Sequence, residues 1–209
     1  MGEGQRLTIN FFNRPTDDVG KALIGASLYF KGTDGRLGGI IVETEAYDEK
    51  DPASHTEYKK KNMNKSMYLS AGHIYIFPKS NFCHLNFVCG PKDYGSAVLI
   101  RALEPSDESK PIIRRRREKQ RRAAATNDRL LCNGPMNLCQ ALGIGGELDG
   151  KTLDDVPVEL YEAPGHTEIW CGPRIGVRND LPRRYTLADS RFISHLNEKR
   201  YTLSANLCR

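Results

Sequence analysis

Val42-Glu43-Thr44-Glu45-Ala46-Tyr47 sets two carboxylates and a tyrosine at alternate positions of an apolar, β-branched run. A strand has a side-chain period of two, so Glu43, Glu45 and Tyr47 share one face. Two readings follow. If that face is buried, ionising both acids is costly, and sites that activate water use such pairs. If the strand lies at a sheet edge, the acidic face simply meets solvent.

The flanking residues make this strand one arm of a hairpin. Ser27 to Lys31 reads as a strand, Gly32-Thr33-Asp34-Gly35 as a turn, and Gly39 to Tyr47 as the returning arm. Upstream, Pro15-Thr16-Asp17-Asp18 opens a helix with Thr16 as its cap, and Gly25 stops it. Downstream, Asp48 to Lys65 is polar and aperiodic, a long surface loop of the kind that often carries function. It holds His55, whose ordinary reading is a solvated side chain.

Three more strands follow. His73 to Phe77 alternates and ends at Pro78, with His73, Tyr75 and Phe77 on one face. Phe82 to Val88 puts Phe82, His84, Asn86 and Val88 together. Ser96 to Leu103 puts Leu99, Arg101 and Leu103 together. An arginine in so apolar a strand needs a partner if buried, and Glu45 would serve. At an edge it would sit in water. Asn133-Gly134-Pro135 is a turn, a short helix covers Met136 to Leu142, and residues 143–200 read as short strands and loops. The sum is an α+β fold, a single domain over 7–200 with a mostly antiparallel sheet, preceded by a disordered segment at 1–6.

The chain has 209 residues, 39% hydrophobic and 27% charged, enough for a sizeable core. No apolar run approaches the roughly 20 residues that span a bilayer. Met1-Gly2-Glu3-Gly4-Gln5-Arg6 lacks the apolar core of a signal peptide. The cysteines at 83, 89, 132, 139, 171 and 208 have no zinc spacing, and are expected to be reduced thiols of an intracellular protein. Net charge is +5, but Lys110 to Arg122 alone carries +7 and the remainder −2. The excess charge is one patch. It suits a polyphosphate partner, or is a solvated helix or mobile loop.

Taken in order, Phe11-Phe12-Asn13-Arg14-Pro15, Ile41 to Tyr47, Pro52-Ala53-Ser54-His55, Ala71 to Ile76, Ala97 to Pro105, Asn133-Gly134-Pro135, Leu138 to Ile144 and Pro173-Arg174-Ile175-Gly176-Val177 resemble the alkyladenine (3-methyladenine) DNA glycosylase family, the mammalian-type N-methylpurine glycosylases, from about Leu7 to Ser194. The resemblance implies a curved antiparallel sheet with surrounding helices. It implies removal of alkylated or deaminated purines from double-stranded DNA by hydrolysis of the N-glycosidic bond, with no metal or organic cofactor. One flipped base needs only one pocket, so a monomer is expected. The resemblance also assigns roles. Glu45 is the general base for water and Arg101 helps hold that water. Tyr47 and Phe77 are stacking faces, His55 contributes from the loop, and Asn86 excludes the guanine amino group.

The chain departs from the family after Phe77, itself a tyrosine in most members. Lys79, Ser80 and Asn81 occupy the expected DNA-contacting segment without the tyrosine that wedges into the duplex, and Phe82 is the nearest replacement. Asn137 stands where a Lys or Arg is usual. A weaker wedge predicts a preference for lesions that already pair badly. A lyase needs an amine nucleophile, and no lysine lies in the strands that carry the matched residues, only Lys79 and Lys92 at their margins. Two alternatives stay open: a module of the same fold that binds damaged DNA without cutting it, and a metallohydrolase using Glu43, Glu45 and His55.

Overall fold

Strand β2 (Gly35–Tyr47) has 13 residues, and the rest of the sheet is arranged around it. The computed structural model describes residues 4–55, 63–79, 82–120, 126–177 and 181–194, with the side chains of Lys79 and Gln120 outside that set. Along one edge β2 pairs first with β1 (Ser27–Gly32) and then, over Glu43 to Glu45, with β8 (Arg184–Leu187). Along its other edge lies β5 (Ala97–Pro105), followed by β4 (Phe82–Val88) and β3 (Ile74–Lys79). β6 (Val158–Tyr161) flanks β1, and β7 (Ile169–Gly172) flanks β8. Every pairing is antiparallel, and the sheet curls into a half-barrel. The α+β expectation and the β1–β2 hairpin hold. At Gly38 and Gly39 neighbouring backbone leaves no space: a Cβ would lie 1.9 Å from Leu28 O at the first and 1.9 Å from Glu104 O at the second.

The two faces divide by period. Ile74, Ile76, Leu85, Phe87, Val98 and Ile100 point into the main core, where Phe87 stacks on Phe12 at 5.1 Å. That core is covered by α1 (Thr16–Ala22) and α3 (Pro135–Leu142). The alternate residues Tyr75 and Val88 join Met67, Tyr68 and Ala97 in a smaller cluster on the other face, with Tyr47 and Phe77 against it.

The β2–β5 ladder is interrupted twice. Ile41 faces Leu103 and Glu43 faces Ala102, so Val42 is extra on β2; Thr44 then faces Ile100, so Arg101 is extra on β5. The second bulge corrects one expectation. Leu99 and Arg101 do share a face, but Leu103 turns into the main core, because the extra residue shifts the alternation by one.

Other corrections are local. Pro15, not Thr16, is the N-cap of α1; its carbonyl takes the Asp18 and Val19 N–H groups, and Thr16 is buried inside the helix. β3 continues through Pro78, which pairs with Cys83. β3 is the last strand in that direction, so a residue without an N–H is tolerated there. The N-terminus is tied down from Gln5: its carbonyl accepts the Glu162 N–H at 2.9 Å, and Arg6 bridges Tyr161. Cys83, Cys89, Cys132 and Cys139 are free thiols, whereas Cys171 is disulfide-bonded.

The basic run forms α2 (Lys110–Gln120), and its arginines are largely engaged within the protein. Arg114 pairs with Asp128, and Arg116 pairs with Asp34 at 2.7 Å and donates to Ala141 O at 3.0 Å. Arg117 is 1% exposed and donates to Gln140 Oε1 and Asn137 Oδ1, both at 2.6 Å. This is neither a solvated face nor a free patch, although Arg115 and Lys119 do face solvent. Arg121 and Arg122 lie outside the described residues. No helix among the described residues is long and apolar enough to cross a membrane.

Candidate active site

A cavity of about 510 Å³ opens on the face bearing Tyr47, Tyr75 and Phe77. That volume suits a small organic ligand. β2 and β3 contribute the aromatic wall, β4 contributes His84 and Asn86, and β5 contributes Leu99 and Arg101. The turn at Asn133-Gly134-Pro135 and the first residues of α3 close one side, and Ile175-Gly176 another. Gly134 adopts φ +93°, a left-handed backbone that lets the turn meet the helix start at the cavity.

His55 reaches this wall from the loop. Its ring lies flat on Phe77, centroids 3.9 Å apart, and its Nδ1 is 2.9 Å from the Tyr75 hydroxyl. The solvated reading of His55 therefore fails. At that separation no third ring fits between His55 and Phe77. Burial first, then the charge of Asp149 and the neighbouring Tyr68, push the Tyr75 phenol far above its usual range, so it stays protonated. Asn86 donates its amide to two backbone carbonyls, Tyr75 O and His84 O, each at 3.0 Å. Its Oδ1 makes no hydrogen bond among the described residues and remains an acceptor.

The acidic face of β2 is buried: Glu43 and Glu45 are both 0% exposed. Glu45 lies under the cavity floor rather than in its lining. Three groups that do line the cavity reach down to it. Oε2 accepts from the Tyr47 hydroxyl at 2.8 Å and from Arg101 Nη1 at 3.1 Å, and Oε1 accepts from the Ile175 N–H at 2.7 Å. Arg101 has the partner expected of it and a second: its Nε donates to Glu43 Oε1 at 3.0 Å. Burial opposes its charge, but Glu45 and then Glu43 outweigh it and hold the guanidinium protonated.

Tyr47 is held from behind by Arg174, whose Cζ lies 4.5 Å over the ring. Burial, then the charge of Glu45 and the bond to it, push the Tyr47 phenol far up. Arg174 is itself buried and forks onto Asp51, with Nη1–Oδ2 at 2.6 Å and Nη2–Oδ1 at 3.0 Å. Burial works against the Asp51 charge, yet the Arg174 fork and the Ala53 N–H keep its carboxyl below the usual range.

The structure therefore gathers Tyr47, His55, Phe77, Asn86 and Arg101 around one cavity, with Glu45 beneath it. Ser80, Asn81 and the Lys79 side chain lie outside the described residues. The sequence reading missed the Ile175 N–H, the Arg174–Asp51 pair, and the Arg184 and Ser194 contacts to Glu43. The only signal was the run Pro173 to Val177, which carried no role; a backbone N–H leaves no trace in side-chain chemistry. Glu43, Glu45 and His55 do not assemble as metal ligands, and no such cluster occurs among the described residues.

Known proteins match this chain over most of its length. The methylpurine-DNA glycosylase (MPG) family profile matches residues 10–191. A protein of Nitrosospira multiformis named "Putative 3-methyladenine DNA glycosylase" is 42% identical over 187 residues, spanning 88% of this chain and 91% of that one. Proteins of the same name from Agrobacterium fabrum and Rhodopseudomonas palustris are 43% and 41% identical, over 88% and 91% of this chain and 90% and 89% of theirs. With a family profile and several relatives covering nearly its whole length, this chain belongs to the methylpurine-DNA glycosylase family.

Proposed function

We propose that this protein is a monofunctional DNA glycosylase that takes damaged purines, alkylated or deaminated, out of duplex DNA and hydrolyses their N-glycosidic bond, starting base excision repair. The observation that carries this is the triple anchoring of Glu45 beneath an aromatic cavity with ample room for a flipped base. A base must leave the helical stack before its glycosidic bond can be reached. Tyr47 offers one stacking face. Phe77 and His55, already stacked together, offer a second only on their outer surfaces unless His55 withdraws. Rings of this kind favour purines made cationic by alkylation.

In the reaction, water attacks the sugar carbon and Glu45 takes its proton. The carbon–nitrogen bond breaks with its electron pair on the purine, so a cationic alkylpurine departs neutral, and a neutral deaminated purine departs as its anion and takes a proton from solvent. Arg101 holds Glu45 in place for the proton transfer from water. Asn86 limits which purine edge fits, by its locked position rather than by a free N–H. No lysine lines the cavity among the described residues, which favours hydrolysis over a lyase step. Lys79, Ser80 and Asn81 would approach the DNA backbone, and one cavity serves one flipped base, so a monomer suffices.

Single-turnover excision from duplexes carrying 3-methyladenine, 7-methylguanine, hypoxanthine or ethenoadenine, with Glu45→Gln alongside, tests the reading. The variant should be slower by about 10²–10⁴-fold. Equal rates for both proteins would favour a damage-binding module without catalysis.

A further inference from the structure

Glu43 is buried as completely as Glu45, yet the hydrolysis above gives it no step. Its Oε1 accepts from Arg101 Nε at 3.0 Å, Arg184 Nε at 2.6 Å and Ser194 Oγ at 3.0 Å, and its Oε2 accepts from the Ser194 N–H at 2.7 Å. Arg101 donates to Ser194 Oγ as well, through Nη2 at 3.3 Å. A guanidinium commonly forks onto a single carboxylate. Here it is split, Nε on Glu43 and Nη1 on Glu45, so charges alternate from Arg184 through Glu43 and Arg101 to Glu45.

The segment that brings Ser194 is seated by several contacts. Phe192 is buried against Val42, the extra residue of β2, and Ala102, the neighbour of the extra residue of β5. Arg129 Nε donates to Arg191 O at 2.8 Å, Asn133 Nδ2 to Ile193 O at 3.4 Å, and Arg184 Nη2 to Ser194 O. Ser194 is 0% exposed.

We propose that Glu43 and Ser194 are positioning residues for the hydrolysis, which hold Arg101 with Nη1 on Glu45, so that the base is competent only while residues 191–194 are docked behind β2 and β5. This rests on the glycosylase reading. Glu45 is faced by Glu43 and Tyr47 from its own strand, Arg101 from β5, Arg184 from β8 and Arg174 from the segment after β7. Ser194→Ala changes no charge but removes a donor from Glu43 and an acceptor from Arg101. Glu43→Gln removes the charge on which Arg101 Nε and Arg184 Nε are held.

The test is single-turnover excision at saturating enzyme across the pH range, with DNA affinity and thermal unfolding measured on the same proteins. Ser194→Ala should slow excision about ten-fold at every pH without altering DNA affinity, since small misplacements of a catalytic group carry losses of this order. Glu43→Gln should likewise slow excision about ten-fold with DNA affinity unaltered. A purely structural role predicts lower unfolding temperatures with the rate unchanged, and that result overturns the proposal. If Glu43→Gln does not fold, Ser194→Ala decides alone: an unchanged rate overturns, a ten-fold loss supports. A wild type that excises no lesion removes the glycosylase reading, and this inference with it.

Discussion

The Tyr47 hydroxyl donates to Glu45 Oε2 at 2.8 Å from two residues along the same strand face. One residue thus offers its ring to the cavity and its hydroxyl to the acid below. The two uses are separable. Tyr47→Phe keeps the ring and removes the donor, so stacking should survive while Glu45 loses one of its three anchors. Excision should slow by about ten-fold with DNA affinity unchanged, one charge-assisted hydrogen bond being worth roughly 1.5–3 kcal/mol. Wild-type excision should show no alkaline limb from Tyr47, whose phenol is pushed far up and stays protonated.

Phe77 should matter more for charged than for neutral lesions. Phe77→Leu keeps an apolar wall but removes the π-face. Cation–π attraction of about 0.5–2 kcal/mol then predicts a loss of up to roughly 30-fold in binding of 7-methylguanine duplexes, and a smaller one for hypoxanthine. Competition binding with the two lesions in otherwise identical DNA measures the ratio. A ratio equal to that of the wild type would count against Phe77 as a stacking face.

Asp51→Asn should destabilise the protein by about 3–5 kcal/mol, because it strands the buried Arg174 guanidinium. The wild type should also show a pH dependence that the variant lacks. The Asp51 carboxyl is held below its usual range in the fold, so its contribution is complete above the unfolded value and is lost as pH falls through the lowered folded one. Urea unfolding at a series of acid pH values reads both effects.

Arg117→Ala and Arg115→Ala should behave differently although the residues are neighbours. Arg117 is buried against Asn137 and Gln140, and its loss should cost about 2–4 kcal/mol with little effect on the salt slope of DNA binding. Arg115 is exposed, so its variant should unfold normally. If it meets a phosphate, the slope should fall by about one. Denaturation and salt-dependent affinity of both variants separate these outcomes.

The acidic strand was legible because a period of two survives any context. Glu43, Glu45 and Tyr47 had to share a face, and only burial remained open. Arg101 was legible for the same reason. Leu103 was misassigned because a bulge has no side-chain signature, and it reverses the alternation beyond it. The basic run misled for a different reason: linear charge density says nothing about acids far away in sequence, and Asp34 and Asp128 take up two of its arginines. Thr16 looked like a cap by residue type, but the Pro15 carbonyl already takes that place. Ile175 and Ser194 act through a main-chain N–H and through a contact some 150 residues away, and neither is encoded locally.

The two bulges in the β2–β5 ladder cancel. Ile41 faces Leu103 and Thr44 faces Ile100, three steps on each strand, so the pairing beyond them runs as though neither had occurred. In genetic language, Val42 is a frameshift and Arg101 its suppressor. Deleting both restores a regular ladder and keeps the sheet, but removes the guanidinium on which both acids depend. The chemistry is thus confined to a local irregularity that the surrounding sheet does not need.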